Sequence, residues 1–275
     1  MTPAEHRASV DRWRADRDAR LRDPDGWLTL VGLYWLEPGE YRLGSAPESE
    51  IQLRGDGVPG SAGTLQIEAA GVRLVSATPE LLADDGPAGE RELRSDADGA
   101  PTILALGDLR FHLIRRGDRL ALRVRDHRAP ALSAFAGMRH FPVDPGWRLP
   151  AAFTPAPSGT TVTVPDITGR VGDDPTPGWV SFARAGATWR ITALPGDDDG
   201  SLFLVFGDAT NGQETYGGGR FLYTDPPAPD GSLTLDFNLA YNPPCVFSPF
   251  ATCPLPPAEN RLALRITAGE LAYRA

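Results

Sequence analysis

Apolar positions at the start of the chain recur at helical spacing. Val10, Trp13 and Leu21 form one narrow stripe, while Asp11, Arg12, Arg14, Asp16, Asp18 and Arg20 fill the other faces. Thr2-Pro3-Ala4-Glu5 has the spacing of a capping box, with proline where its missing N–H costs nothing, and Asp23-Pro24-Asp25-Gly26 is a stop signal. The pattern predicts an N-terminal helix over 1–24 that lies on the body of the protein by one face. Beyond it the period shortens toward two. Short apolar runs at 27–31, 41–43, 51–53, 64–67 and 72–75 alternate with Gly-, Pro- and Asp-containing turns, which predicts an antiparallel β-sandwich over 25–130. Residues 79–101 are acidic and rich in Gly, Ala and Pro, the pattern of a flexible loop or an edge. A hairpin follows, with arms at 109–114 and 120–125 and a turn at Arg116-Gly117-Asp118.

The segment from Phe135 to Trp147 reads as an ordered connection to a second antiparallel β-sheet or barrel body over 131–275. Its strands are expected at 149–153, 161–164, 179–184, 188–194, 202–206, 220–223, 233–237 and 262–266. Asp197-Asp198-Asp199-Gly200 is the loop of a hairpin between two of them. The fold class is therefore mainly β, in three parts: helix, sandwich-like half and second β half.

Composition narrows the function classes. Thirty glycines and 27 prolines suit many turns and short elements. A net charge of −9 repels phosphate backbones and argues against nucleic acid. All 27 basic residues are arginine, which excludes lysine Schiff-base chemistry and a Walker-type phosphate lysine. No apolar run is long enough to span a bilayer, and the N-terminus is dense with charge where a signal peptide would be apolar, so a cytoplasmic protein without membrane contact is expected.

Polar and conformationally special residues concentrate between Phe206 and Arg261. Three consecutive glycines and Asn211-Gly212 let the main chain of 207–219 approach another group closely. Around them stand Asp208, Glu214, Tyr216 and Arg220. One reading makes this a ligand loop, with Arg220 as anion clamp and Glu214 or Asp208 as base or metal ligand; the other makes it a bulge loop with an internal Arg–carboxylate bridge. Cys245 and Cys253 sit among prolines and admit three readings: structural thiols or a local disulfide, metal ligands together with His127 or His140, or a nucleophile with a histidine base. A reducing compartment favours free thiols packed against Phe247 and Phe250. His6, on the charged helix, and His112, on a strand, read as structural; His127 and His140 stand where strands meet loops. No G-x-S-x-G, H-E-x-x-H, P-loop or dinucleotide motif is present, and no metal or cofactor is assigned.

Two resemblances bear on these readings. Leu36-Glu37-Pro38-Gly39-Glu40-Tyr41-Arg42-Leu43-Gly44-Ser45, with Glu50-Ile51-Gln52-Leu53, resembles the opening of a forkhead-associated domain. That family reads phosphothreonine through an arginine directly after the glycine and a Ser-Arg-x-His turn. Ser45 and Pro59-Gly60-Ser61-Ala62-Gly63 stand at those places here, so the strand pattern carries over and the phosphate-binding activity does not. The longer motifs G-L-Y-W-L-E-P-G (32–39), R-V-R-D-H-R-A-P (123–130), F-P-V-D-P-G-W (141–147), D-A-T-N-G-Q-E-T-Y-G-G-G-R-F-L (208–222), Y-N-P-P-C-V-F (241–247) and A-T-C-P-L-P-P-A-E-N-R-L (251–262) together resemble the prokaryotic family called domain of unknown function 1684, over nearly the whole chain. That resemblance implies no activity or catalytic residue.

The reading that follows is a small-molecule pocket, hydrolytic in its stronger form, that takes a polar or anionic ligand through Asp208, Glu214, Tyr216, Arg220 and Asn242. His127, Glu214 and Cys245 are the candidates for catalysis. The alternative is a non-catalytic protein-interaction module built on the degenerate forkhead-like sandwich.

Overall fold

The structure is a computed structural model that describes residues 1–197 and 199–273. The chain divides into two compact units, Arg22–Phe135 and a second formed by Met1–Leu21 with Ala136–Ala275. The N-terminal helix thus belongs with the C-terminal half. Among the described residues no helix is long and apolar enough to cross a membrane.

Helix α1 spans Pro3–Leu21. Its start is the capping box read from sequence: Glu5 N–H donates to Thr2 Oγ1 at 3.2 Å, and Thr2 N–H donates to Glu5 Oε2 at 2.7 Å. Val10 and Leu21 are buried as the stripe requires, but so are His6 and Arg17, which no apolar pattern marks.

The N-terminal unit holds β1 (Leu30–Leu36), β2 (Gly39–Gly44), β3 (Ile51–Gln52), β4 (Gly63–Glu68), β5 (Gly71–Ser76), β6 (Leu82–Ala83), β7 (Gly86–Pro87), β8 (Glu90–Leu93), β9 (Leu104–Leu106), β10 (Leu109–Arg116) and β11 (Arg119–Asp126). They form one sheet ordered β1-β11-β10-β9-β6-β7 and another ordered β3-β2-β4-β5-β8. Leu43, Ile51, Leu65 and Leu74 from one sheet share a core with Leu104, Phe111, Leu113 and Leu122 from the other. β2 and β3 run parallel, a departure from the all-antiparallel expectation. The segment 79–101 forms sheet edges, the second of the two readings its composition allowed. It supplies β6 and β7, which end one sheet, and β8, which ends the other. Short, charged edge strands carry little hydrophobic alternation, so their sequence looks like a linker. The short helix α2 (Pro130–Ala134) closes the unit.

The C-terminal unit holds β12 (Arg148–Pro155), β13 (Thr161–Pro165), β14 (Val171–Pro175), β15 (Gly178–Arg184), β16 (Ala187–Pro195), β17 (Leu202–Phe206), β18 (Arg220–Thr224) and β19 (Ser232–Asp236). Six of them form one antiparallel sheet ordered β18-β17-β16-β15-β12-β19, and β13 pairs with β14 as a separate hairpin. The sheet curls, so that its two edge strands β18 and β19 approach one another in a half-barrel. Its concave face is packed with Trp147, Phe182, Phe206 and Phe237, whose ring centroids lie 5.3–5.8 Å apart around Phe237. β16 and β17 pair only at Leu194–Phe203 and Pro195–Leu202. Where they diverge, the buried Asn260 amide joins them: its Oδ1 accepts from Thr192 N–H at 2.7 Å, and its Nδ2 donates to the Thr192 and Val205 carbonyls at 2.9 Å each.

The expected strand at 262–266 is absent as a ladder. Leu262, Leu264 and Ile266 are buried alternately, as in a strand, but the segment runs beside the 207–209 turn. There Leu262 N–H donates to the Gly207 carbonyl, Ala209 N–H donates to the Leu264 carbonyl, and Ile266 N–H donates to Asp208 Oδ2 at 2.7 Å. A side-chain acceptor replaces the neighbouring strand. The expected 197–200 hairpin joins β16 to β17, although Asp198 itself lies outside the described residues.

Candidate functional site

The polar residues of the 206–261 stretch are drawn inward. Arg220, at the start of β18, is fully buried and sits over the Phe206 ring. Its Nη2 donates to Asp208 Oδ2 at 3.2 Å and to the Ile266 carbonyl at 3.0 Å, and its Nη1 donates to the Ala268 carbonyl. Burial pulls the guanidinium's pKa down, and the Asp208 charge opposes that pull. Asp208 Oδ1 accepts from Thr210 Oγ1 at 2.7 Å. The Arg220–Asp208 pair thus ties the 262–268 strap to the sheet.

A second buried set lies behind α1. Arg17 Nε donates to Glu270 Oε1 at 3.2 Å, and Arg17 Nη2 donates to the Asn242 carbonyl at 3.0 Å. Asn242 N–H donates to Glu270 Oε2 at 2.7 Å, and Asn242 Nδ2 donates to the Leu271 carbonyl at 2.8 Å. Burial raises the Glu270 pKa while the Arg17 charge holds it down. Asp208, Arg220 and Asn242 are therefore brought together with the strap and with α1, not with solvent. Glu214 is partly exposed and pairs with Arg265 at 2.6 Å.

Cys245 and Cys253 are both free. The Cys245 sulfur lies 3.6 Å from the Tyr216 hydroxyl, and Cys245 N–H donates to Cys253 Sγ at 3.1 Å. Neither imidazole proposed as a base is a partner of Cys245. His127 belongs to the N-terminal unit, where its Nε2 lies 3.1 Å from Asp25 Oδ1. His140 forms a backbone bridge with Glu270, and burial together with the Arg14 charge lowers its pKa to about 4.

An opening in this unit lies elsewhere, along the gap between the edge strands β18 and β19 that α1 borders. It is a cleft of about 610 Å³. His6 lines it and is 4% exposed; its Nε2 lies 2.6 Å from Asp236 Oδ2 at the end of β19. Asp236 is held by Asn238, whose N–H and Nδ2 donate to Oδ1 at 3.0 and 2.8 Å. With Nε2–H donating to Asp236, His6 Nδ1 is left as a buried acceptor without a partner among the described residues. Asp197, Asp199 and Asp225 join Asp236 on the walls, against one guanidinium, Arg148. Two aromatic rings complete it. Trp13 comes from α1, and Tyr223 from β18 stacks on Phe203 at 4.8 Å while remaining 41% exposed. Burial and the neighbouring Asp197 charge raise the Tyr223 pKa.

None of these cleft residues was singled out by sequence reading. His6 looked like one more polar residue on a charged helix, and its partner is 230 positions away. The only local signal is Asp236-Phe237-Asn238, an aspartate that caps a short 3-10 turn.

Fold and cleft define the C-terminal unit as a half-barrel of mainly antiparallel strands with a helix over its open seam. The chain belongs to the family described as protein of unknown function DUF1684, whose model matches residues 133–271. That range contains the motifs from 141 onward; those at 32–39 and 123–130 lie outside it. The chain is also similar to the uncharacterized protein from gene locus rrnAC0354 of Haloarcula marismortui, solved by solution NMR. The two are 36% identical over 50% of this chain and 78% of that one, with a TM-score of 0.42. No curated protein matches the chain.

Proposed function

We propose that the C-terminal unit is a binding domain for a small organic cation, an amine or quaternary ammonium compound, held in the cleft between β18, β19 and α1. The observation that carries this reading is the wall of four carboxylates, Asp197, Asp199, Asp225 and Asp236, against the single guanidinium of Arg148. Asp197 and Asp225 have no cation paired with them among the described residues, so their charge is open to a ligand cation. The exposed face of Tyr223, together with Trp13, adds the quadrupole that attracts an ammonium group. The volume falls within the range of about 300–1,000 Å³ usual for small-molecule sites. The polar ligand expected from sequence is kept; its sign is reversed, because Arg220 is sealed inside and the cleft is acidic.

A thermal-shift screen tests this directly. Choline and short diamines should raise the melting temperature of the wild-type protein. The uncharged choline analogue 3,3-dimethylbutan-1-ol and the anion succinate should not. An equal response to choline and its neutral analogue would remove the charge-based reading.

A further inference from the structure

We propose that Cys245 and Cys253 form a peroxide-reactive dithiol, with Cys245 as the attacking thiol and Cys253 as the resolving one. The pair lies outside the cleft described above and does not depend on it. Cys245 is partly exposed as a residue, while Cys253 is 4% exposed. Both backbones are fixed. Cys245 sits in a 3-10 turn, Pro244–Val246, closed by the Val246 N–H to Pro243 carbonyl bond at 3.1 Å. The Cys253 carbonyl accepts from Ile167 N–H at 2.9 Å, and Leu255 N–H donates to the Pro165 carbonyl at 2.7 Å, which docks this strand on the β13–β14 hairpin.

The Cys253 sulfur already lies 3.1 Å from the Cys245 amide nitrogen. That nitrogen is two bonds from Cys245 Cβ, so the Cys253 sulfur already lies beside the residue it would bond. The local donors also favour the thiolate. A hydrogen bond from Cys253 lowers the Cys245 pKa, burial opposes it, and the Tyr216 hydroxyl and the backbone N–H lower it further, to about 7 from the ordinary 9.0. No charged side chain is among these causes.

The chemistry balances with a hydroperoxide as oxidant. The Cys245 thiolate attacks the peroxide oxygen, an S–O bond forms as the O–O bond breaks, and the departing alkoxide or hydroxide takes up a proton. Cys245 is now a sulfenic acid, oxidised by two electrons. The Cys253 sulfur then attacks it, the S–S bond forms, and the S–O bond breaks with loss of water that carries the Cys253 proton.

The test is reaction of the intact protein with hydrogen peroxide, followed by intact-mass measurement and non-reducing peptide mapping. The wild type should lose two hydrogens, show one 245–253 linkage, and regain both thiols in dithiothreitol. Cys253→Ser should stop at a dimedone-reactive sulfenic acid on residue 245. Cys245→Ser should react roughly tenfold more slowly, the ratio expected between a half-ionised and a largely protonated thiol near pH 7. Tyr216→Phe should move the pH midpoint of Cys245 alkylation by iodoacetamide upward from about 7. The wild-type alkylation profile needs no variant and stands if one fails to fold. The proposal is overturned if native Cys245 alkylates only after unfolding, or if the wild type proceeds to sulfinic acid without forming the linkage.

Discussion

Replacing Arg220 with alanine removes the charge that ties the strap to the sheet. Arg220 and Asp208 have fully buried side chains. Stranding one member of a buried pair costs about 3–5 kcal/mol. The Ile266 and Ala268 carbonyls also lose their guanidinium donors, at about 1–3 kcal/mol for each buried group left unpaired. Asp208 keeps its bonds from Thr210 and Ile266, which limits the loss. Taking the low end of that sum for this reason, about 5 kcal/mol is a large part of the roughly 5–15 kcal/mol that holds a domain folded. At about 2–4 °C per kcal/mol for a domain of this size, the melting temperature should fall by roughly 10–20 °C. Differential scanning calorimetry of Arg220→Ala beside Arg265→Ala makes the comparison internal. Arg265 pairs with Glu214 at the surface, with half of its own side chain exposed, and its loss should cost no more than about 1 kcal/mol. Equal melting temperatures for the two variants would refute the framework role of Arg220.

Two further predictions concern backbone and pH. Gly269 has φ +80°, and a Cβ there would lie 2.4 Å from the Ala240 carbonyl oxygen, whereas Gly186 at φ +75° faces open space. Gly269→Ala should therefore lower the melting temperature well beyond Gly186→Ala, whose cost of roughly 1 kcal/mol reflects the positive φ alone. In acid, His112 and His140 each titrate at about 4 in the folded chain against 6.5 ordinarily, mainly through burial and then through nearby arginines. The native state then binds fewer protons than the unfolded one. Their contribution to stability is full above pH 6.5 and is lost as pH falls toward about 4. Urea midpoints should drop across that window, and less steeply in His140→Gln; parallel pH profiles would contradict the assignment.

Much of the architecture was legible because local signals agreed with the final packing. Thr2 and Glu5 cap α1 as their spacing requires, and the short apolar runs at 202–206 and 221–223 became β17 and β18. What escaped was set by distant partners. The 79–101 stretch, read as a loop or an edge, was settled as the edge strands β6, β7 and β8 only by their sheet neighbours. The 262–266 strap alternates like a strand, yet its amides go to Asp208 and to the 207–209 turn. The Asp208–Asn260 concentration of polar residues was visible, but Arg220, Asn242 and Asn260 spend it on bonds that fasten irregular backbone. Buried polar groups need such partners wherever a sheet lacks a neighbouring strand. The cleft gathers residues from α1, β18 and β19 with Asp197 and Asp199, so it has no contiguous motif at all.

Isothermal titration calorimetry of choline tests the central claim most directly, with wild type, Asp236→Asn and Tyr223→Ala measured beside 3,3-dimethylbutan-1-ol. Asp236 faces His6 from β19, and Tyr223 offers its ring from β18, so each variant removes one half of the cation's environment. The account predicts saturable one-site binding to wild type, weakened at least tenfold in each variant, weakened by added salt, and missing for the neutral analogue. Binding that both variants retain unchanged, or that the uncharged analogue matches, would contradict it.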